Sequence, residues 1–194
     1  MRRFTLSLAM VMASVVASHA QQATDAIAPE RPTPSLTAGD AVAPVKAKDW
    51  MISAANPLAA RAGADVLAAG GNAIDAMVAV QAVLGLVEPQ SSGLGGGAFL
   101  LHYDAESGEV TTLDGRETAP AGARPQLFLK DDGEPLGFFD AVVGGLSVGV
   151  PGTPRLMEEA HRRWGSVAFG RLLQPALRLA RDGFEVSPRL AGAI

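Results

Sequence analysis

The stretch GGNAIDAMVAVQAVLGLVEPQSSGLGGGAFLLHY, residues 70–103, passes from a helix through a glycine turn into a strand, and this succession sets the layering of the domain. Gly70-Gly71 closes what precedes it. Asn72 is then a strong N-cap, and Asp75 falls in the first turn, where a negative charge meets the positive end of the helix. Ile74, Met77, Val78, Val80, Val83, Leu84 and Leu86 surround the segment with apolar surface to about Val87, interrupted mainly by Asp75 and Gln81. That pattern predicts a helix buried on most sides, which needs a packed layer above it and another below. Each Leu or Val side chain so buried contributes about 1.5–3 kcal/mol against the entropy of ordering the helix. Ala98 to Tyr103 and Glu109 to Asp114 read as strands, and the loop Asp104 to Gly108 between them predicts an antiparallel hairpin.

Working outward, Asn56-Pro57 has the N-cap and first-turn proline of a helix start. Leu58, Ala62, Val66 and Ala69 carry the helical period as far as Gly70. Met51 to Ala55, just upstream, is short and apolar like a buried strand. Residues 115–140 are loop-like, and Ala141-Val142-Val143 with Leu146 to Val150 read as a further strand region ahead of Pro151-Gly152. Thr153-Pro154 starts a helix through Trp164, closed by Gly165. Phe169 to Asp182 forms the next, closed by Gly183, with Pro175 in its first turns or kinking it. Helices, then strands, then helices, without an internal repeat, give an α+β layered domain rather than alternating βαβ units.

Three segments divide the chain. Met1-Arg2-Arg3, an uncharged apolar run from Phe4 to Ala17 and the small residues of Ser18-His19-Ala20 read as a signal peptide over residues 1–20. The apolar run is shorter than the ~20 residues that span a bilayer, so no stable membrane anchor is expected. Residues 21–49, rich in Ala and Pro, form a flexible leader, and residues 50–194 form the folded part. The expected location is exported, periplasmic or extracellular.

The 194 residues carry 20 acidic against 16 basic side chains, a net charge of −4, with no Lys/Arg block, which excludes an electrostatic footprint for nucleic acid. With 48% hydrophobic residues, the chain has a real core. Cysteine is absent, so disulfides, thiolate metal sites and Cys nucleophiles are excluded. His19, His102 and His161 show no metal-ligand spacing.

Three constellations remain. Gly93-Leu94-Gly95-Gly96-Gly97 permits close backbone approach, but a helix precedes it and a strand follows, the reverse of a phosphate loop. It reads as a close-packed turn. Gly145-Leu146-Ser147-Val148-Gly149 matches the nucleophile elbow of α/β-hydrolases, yet the following Val-Gly-Val-Pro-Gly cannot continue as a helix. His161 is the only later histidine. A buried strand is the alternative. Asp114-Gly115-Arg116-Glu117-Thr118-Ala119-Pro120 places a guanidinium just past a strand end between two carboxylates. Arg116 either pairs with Asp114 or Glu117 or grips a ligand carboxylate with two parallel hydrogen bonds. Asp114 and Glu117 as an acid/base pair is the weaker reading.

Six segments in order, Ser53-Ala54-Ala55-Asn56-Pro57-Leu58-Ala59, Gly70 to Ala76, Ser92 to Phe99, Arg116 to Pro120, Val150 to Pro154 and Leu179 to Phe184, resemble gamma-glutamyltransferase (gamma-glutamyl transpeptidase). The resemblance covers about Asp49 to Ile194 and corresponds to the N-terminal part of that family's large subunit. It implies an N-terminal nucleophile hydrolase, an αββα sandwich present here only in part. Its precursor cleaves itself, and the new N-terminal Thr attacks the gamma-glutamyl amide of glutathione with its own α-amino group as base. The acyl group then passes to water or to an amino acid or peptide, and no cofactor is needed. Position by position, Arg116 matches the arginine that holds the substrate α-carboxylate, and Gly93 to Gly97 take a supporting role. No catalytic residue is assigned within these 194 residues. The chain is expected to be an inactive part whose partner is the C-terminal portion and small subunit of the same precursor. The alternatives are a glutaryl-type acylase of the same fold, an α/β-hydrolase using Ser147, and a non-catalytic exported binding domain.

Overall fold

The computed structural model describes residues 44–194, and Ala47–Ile194 forms a compact unit. The signal peptide expected over residues 1–20, and the leader as far as residue 43, lie outside the described residues.

Helix α1 (Pro57–Ala68) begins where Asn56 Oδ1 accepts the Leu58 amide at 2.9 Å, and Gly70 leaves it at φ +89. Helix α2 (Ala73–Val87) opens with a full capping box. Asn72 Oδ1 accepts the Ile74 and Asp75 amides, and the Asp75 carboxylate accepts the Asn72 amide. A short turn of helix, α3 (Pro89–Ser92), leads into the glycine turn.

Strands β1 (Ala98–Tyr103) and β2 (Val110–Gly115) pair antiparallel, with Ala98 opposite Gly115 and Tyr103 opposite Val110. After the hairpin come α4 (Phe138–Val142), α5 (Thr153–Trp164), α6 (Phe169–Leu172), α7 (Gln174–Asp182) and α8 (Pro188–Ala191).

α2 is the centre of the packing. One end meets α1 and α7 through Val83 and Val87 against Ala59 and Ala62, with Ala176, Leu179 and Phe184 alongside. Ile74 packs with Leu100 of β1 and with Leu156 and Ala160 of α5. Val78 and Ala79 meet Met157 and Leu172. The hairpin is covered on one side only. Its other face carries Phe99, Leu101, Tyr103 and Val110, 64%, 76%, 64% and 58% exposed among the described residues.

Several expected elements differ. Met51 to Ala55 is not a strand: among the described residues the only sheet is the β1–β2 hairpin, and no backbone pairs with this segment to complete a ladder. The expected strand region over 141–150 is α4 followed by bends, with Gly144 at φ +109. Only Val150 makes a bridge, to Thr118, and Val143 and Val148 are exposed. The second strand begins at Val110 and ends at Gly115, one residue later than the sequence indicated at both ends. The expected helix from Phe169 to Asp182 is split at Leu173, because Pro175 sits in the first turn of α7 and lacks the N–H that a continuous helix would need.

Two buried carboxylates tie distant segments together. Glu88 accepts Asn56 Nδ2 at 3.1 Å, Gln90 Nε2 at 2.7 Å and Ser187 Oγ at 3.1 Å, joining the starts of α1 and α8 to the end of α2. Asp75, with no exposed side-chain surface, accepts Ser166 Oγ at 2.5 Å and the amides of Asn72, Ser166 and Val167 at 3.0–3.2 Å. Burial alone would raise the Asp75 pKa. The Ser166 hydroxyl and the three amides outweigh it and hold the carboxyl below its usual value.

A group with a depressed native pKa stabilises fully above the ordinary carboxylate range and loses that stabilisation as pH falls through the native pKa. Asp75→Ala is therefore expected to lower the unfolding free energy by about 3 kcal/mol at neutral pH, with the difference from the parent chain shrinking below about pH 4. Urea unfolding at pH 7 and pH 3.5 measures this, and an equal difference at both pH values contradicts it.

Candidate functional site

β2 ends at Gly115, and the chain turns off the strand because Asp114 Oδ1 accepts the Arg116 amide at 2.9 Å. That bond gives Asp114 a backbone role. The guanidinium pairs instead with Glu117, Nε to Oε2 at 3.4 Å, and the Arg116 side chain is 65% exposed against 36% for Glu117. Of the two pairings left open by the residues, the structure holds the one with Glu117. An exposed pair at this distance is weak, and screening by water leaves the guanidinium ready to exchange its partner for a ligand carboxylate. Asp114 and Glu117 do not form an acid/base pair, since one supports the turn and the other faces the arginine.

Close backbone packing fixes this loop. The Gly152 and Thr153 amides both donate to the Gly96 carbonyl, at 3.1 and 3.2 Å, so the glycine turn holds the start of α5. Thr118 and Val150 exchange backbone hydrogen bonds at 3.3 and 2.8 Å. At Gly97 a Cβ would meet the Glu117 carboxylate and backbone amide and lie 2.8 Å from Arg116 Cα. At Gly152 it would run into the Gly115 carbonyl. These two glycines are there because two backbones touch, not to cradle a phosphate. A polar cavity of about 520 Å³ beside the turn is lined in part by Gln81, Gln90, Ser91 and Ser92, and Gln81 Nε2 donates to the Ser92 carbonyl at 3.0 Å.

Ser147 and His161 are not brought together. The Ser147 hydroxyl donates to the Val142 carbonyl at 3.0 Å in an exposed bend, which is neither a nucleophile elbow nor the buried strand of the alternative reading. His161 Nε2 donates to the Val167 carbonyl at 2.6 Å, and its ring lies edge-on to Phe169. Among the described residues no group of three or more His, Cys, Asp or Glu is placed to hold a metal ion.

Arg116 opens on a cavity of about 710 Å³ between the end of β2 and α5, whose other basic lining residues are Arg155, Arg162 and Arg163. Sequence reasoning passed over these three. Their spacing on one helix was the available signal, but their approach to Arg116 depends on how α5 packs against β2. Hydrogen bonds from Arg162 and then Arg163 hold the Glu159 carboxyl down at about 2, so it stays ionised between them.

A family model described as Gamma-glutamyltranspeptidase matches residues 59–194. The chain is 48% identical over 147 residues to a glutathione hydrolase proenzyme of Bacillus subtilis strain 168, covering 76% of this chain and 25% of the relative. It is 40% identical over 163 residues to a glutathione hydrolase proenzyme of Escherichia coli K12, covering 82% and 28%. The crystal structure of Helicobacter pylori gamma-glutamyltranspeptidase superposes with a TM-score of 0.73 at 38% identity, covering 77% of this chain and 43% of that one. The chain thus spans about a quarter of the length of the curated relatives it matches.

If close approach is what Gly97 provides, Gly97→Ala should cost about 1–3 kcal/mol of stability and push the Arg116-Glu117 backbone off the turn. Gly95→Ala, whose Cβ would meet nothing within 4 Å, is expected to stay within ~0.5 kcal/mol of the parent. Thermal unfolding of the two variants side by side checks this, and equal losses contradict it.

Proposed function

The chain belongs to the gamma-glutamyltranspeptidase family, and we propose that its residues 50–194 supply the part of the enzyme that holds the substrate's α-carboxylate on Arg116. The reaction in which this portion takes part is cleavage of the gamma-glutamyl amide of glutathione and related compounds. A Thr nucleophile, provided by other parts of the precursor, takes the acyl group and passes it to water, an amino acid or a peptide.

One observation carries the reading. A guanidinium stands at a strand end over a 710 Å³ cavity, with only a 3.4 Å contact to Glu117 to restrain it. Its planar fork matches a carboxylate, which is the group that an α-amino acid presents at one end while its side-chain amide is worked on at the other. Holding one end fixes where the other lies, and so converts binding into orientation.

The bare face of the hairpin supports the same reading. Phe99, Leu101, Tyr103 and Val110 form an apolar surface on which the second sheet of an αββα sandwich, drawn from the rest of the precursor, would pack. We take residues 1–20 as the export signal and 21–49 as the leader, which places the enzyme in the periplasm or outside the cell. Among the described residues no helix is long and apolar enough to cross a membrane.

The test exchanges residues 59–194 into the Bacillus subtilis relative and follows release of aniline from a gamma-glutamyl anilide. Arg116→Met is expected to lower kcat/KM about 100-fold, or roughly 2.7 kcal/mol. A gamma-glutamyl anilide whose α-carboxylate is converted to an amide should lose a similar factor with Arg116 intact. Unchanged kcat/KM in the Arg116→Met chimera contradicts the assignment.

A further inference from the structure

Apart from the bare face of the hairpin, the helices leave an apolar groove open. Its volume is about 800 Å³, and Ala82 and Leu86 of α2 lie in it between two rows of side chains. Pro154, Met157 and His161 form the row on α5, and Leu173, just ahead of α7, forms the other with Leu177 and Ala180. Three- and four-residue spacing puts each row on one helix face for about 10 Å, or two turns. Leu177 is 42% exposed, and Leu94, which also lines the groove, is 52% exposed. Large apolar side chains gathered along one open groove mark a surface that meets a partner.

The charged groups of the groove are Glu158 and Arg162, and each is paired, Glu158 with Arg155 and Arg162 with Glu159. What enters must therefore be apolar on the side that faces in. The groove exists because α2 is apolar nearly all round. Val83 and Val87 are covered by α1 and α7, Ile74 by the hairpin and α5, and Val78 and Ala79 by α5 and α6, while Ala82 and Leu86, one turn apart, stay half-buried. Two observations say what covers them. The chain spans about a quarter of its curated relatives and 43% of the Helicobacter pylori chain, so most of a precursor of this family lies outside it. α8 is tied to the end of α2 and to α3, by Ser187 Oγ on Glu88 and by Arg189 Nη2 on Ser91 Oγ, which puts polypeptide that follows α8 beside Leu86 and Leu94.

Resting on the reading of residues 50–194 as the N-terminal part of a longer precursor, we propose that this groove seats an amphipathic helix from the precursor segment that follows α8. Apolar side chains of that helix, recurring at i, i+3 or i+4 and i+7, enter between α5 and α7 and pack on Ala82 and Leu86. α5 then has the docked helix on one side and the Arg116 cavity on the other, with Arg162 lining both. Seating the helix braces α5 from behind.

The test uses the chimera that carries residues 59–194 in the Bacillus subtilis relative. The photoreactive residue p-benzoylphenylalanine replaces Leu177 in one variant and Leu94 in another, and mass spectrometry after irradiation identifies the peptide to which each bonds. Both are expected to bond within the large subunit, in the segment that follows the position of residue 194. Bonding to the small subunit, bonding to a second copy with doubling of the mass, or no protein adduct at either position overturns the proposal. Should the bulky residue prevent folding, thiol labelling decides with a smaller change. Leu177→Cys in the chimera is expected to react with a maleimide at least about tenfold more slowly than Arg178→Cys, its exposed neighbour on α7, and equal rates overturn the proposal. Neither readout uses turnover, so the Arg116 assignment and this one fail separately. An assembled chimera with an open groove removes only the docked helix, whereas a chimera that cannot assemble at all removes the precursor reading and the docked helix with it.

Discussion

Burial of α2 on three sides is the constraint from which the rest of the structure follows. A helix with α1 along its length, α7 toward one end and the hairpin, α5 and α6 toward the other leaves its neighbours little freedom, and its one buried charge is put to use. Asp75 caps its own helix and reaches across to the turn after α5, so the start of α2 and the end of α5 are held by the same carboxylate. The other end of α5 is held by Gly96. α5 is therefore fixed at both ends, and the arginines it carries are set against the end of β2.

From that anchoring comes the position of Arg116. The glycine turn touches the Arg116-Glu117 backbone on one side, and Gly152 touches the Gly115 carbonyl on the other, so the loop after β2 lies between two contacts that admit no side chain. The backbone is fixed while the guanidinium stays exposed and lightly paired. That combination suits the carboxylate-holding role proposed for Arg116: the loop beneath it is already fixed, and the guanidinium gives up only a weak contact.

Much of this was legible in the residues, and what was not has a physical cause. Asn56-Pro57, Gly70-Gly71 and Asn72 with Asp75 bound two helices because capping is local chemistry, and the structure places those ends where the cap residues put them. The hairpin followed from two strand-like runs around a short loop, with the first strand at its expected bounds and the second displaced by one residue. Met51 to Ala55 and residues 141–150 misled because a short apolar run becomes a strand only where another strand lies beside it. Gly97 and Gly152 were visible as glycines, but which backbone they admit is a tertiary fact. Arg155 and Arg163 were passed over for the same reason, since nothing along the chain shows that α5 lies beside the loop carrying Arg116. Six short segments in order sufficed for the family, because each combines a cap, turn or close contact that the fold requires.

The most direct test is a crystal structure of the chimera that carries residues 59–194 with L-glutamate, the product of the proposed hydrolysis, bound. The Arg116 guanidinium is expected to have left Glu117 and to hold the α-carboxylate through two parallel N–H···O bonds of about 2.7–2.9 Å. Glutamate bound with its α-carboxylate on other groups, and Arg116 still paired with Glu117, would contradict it.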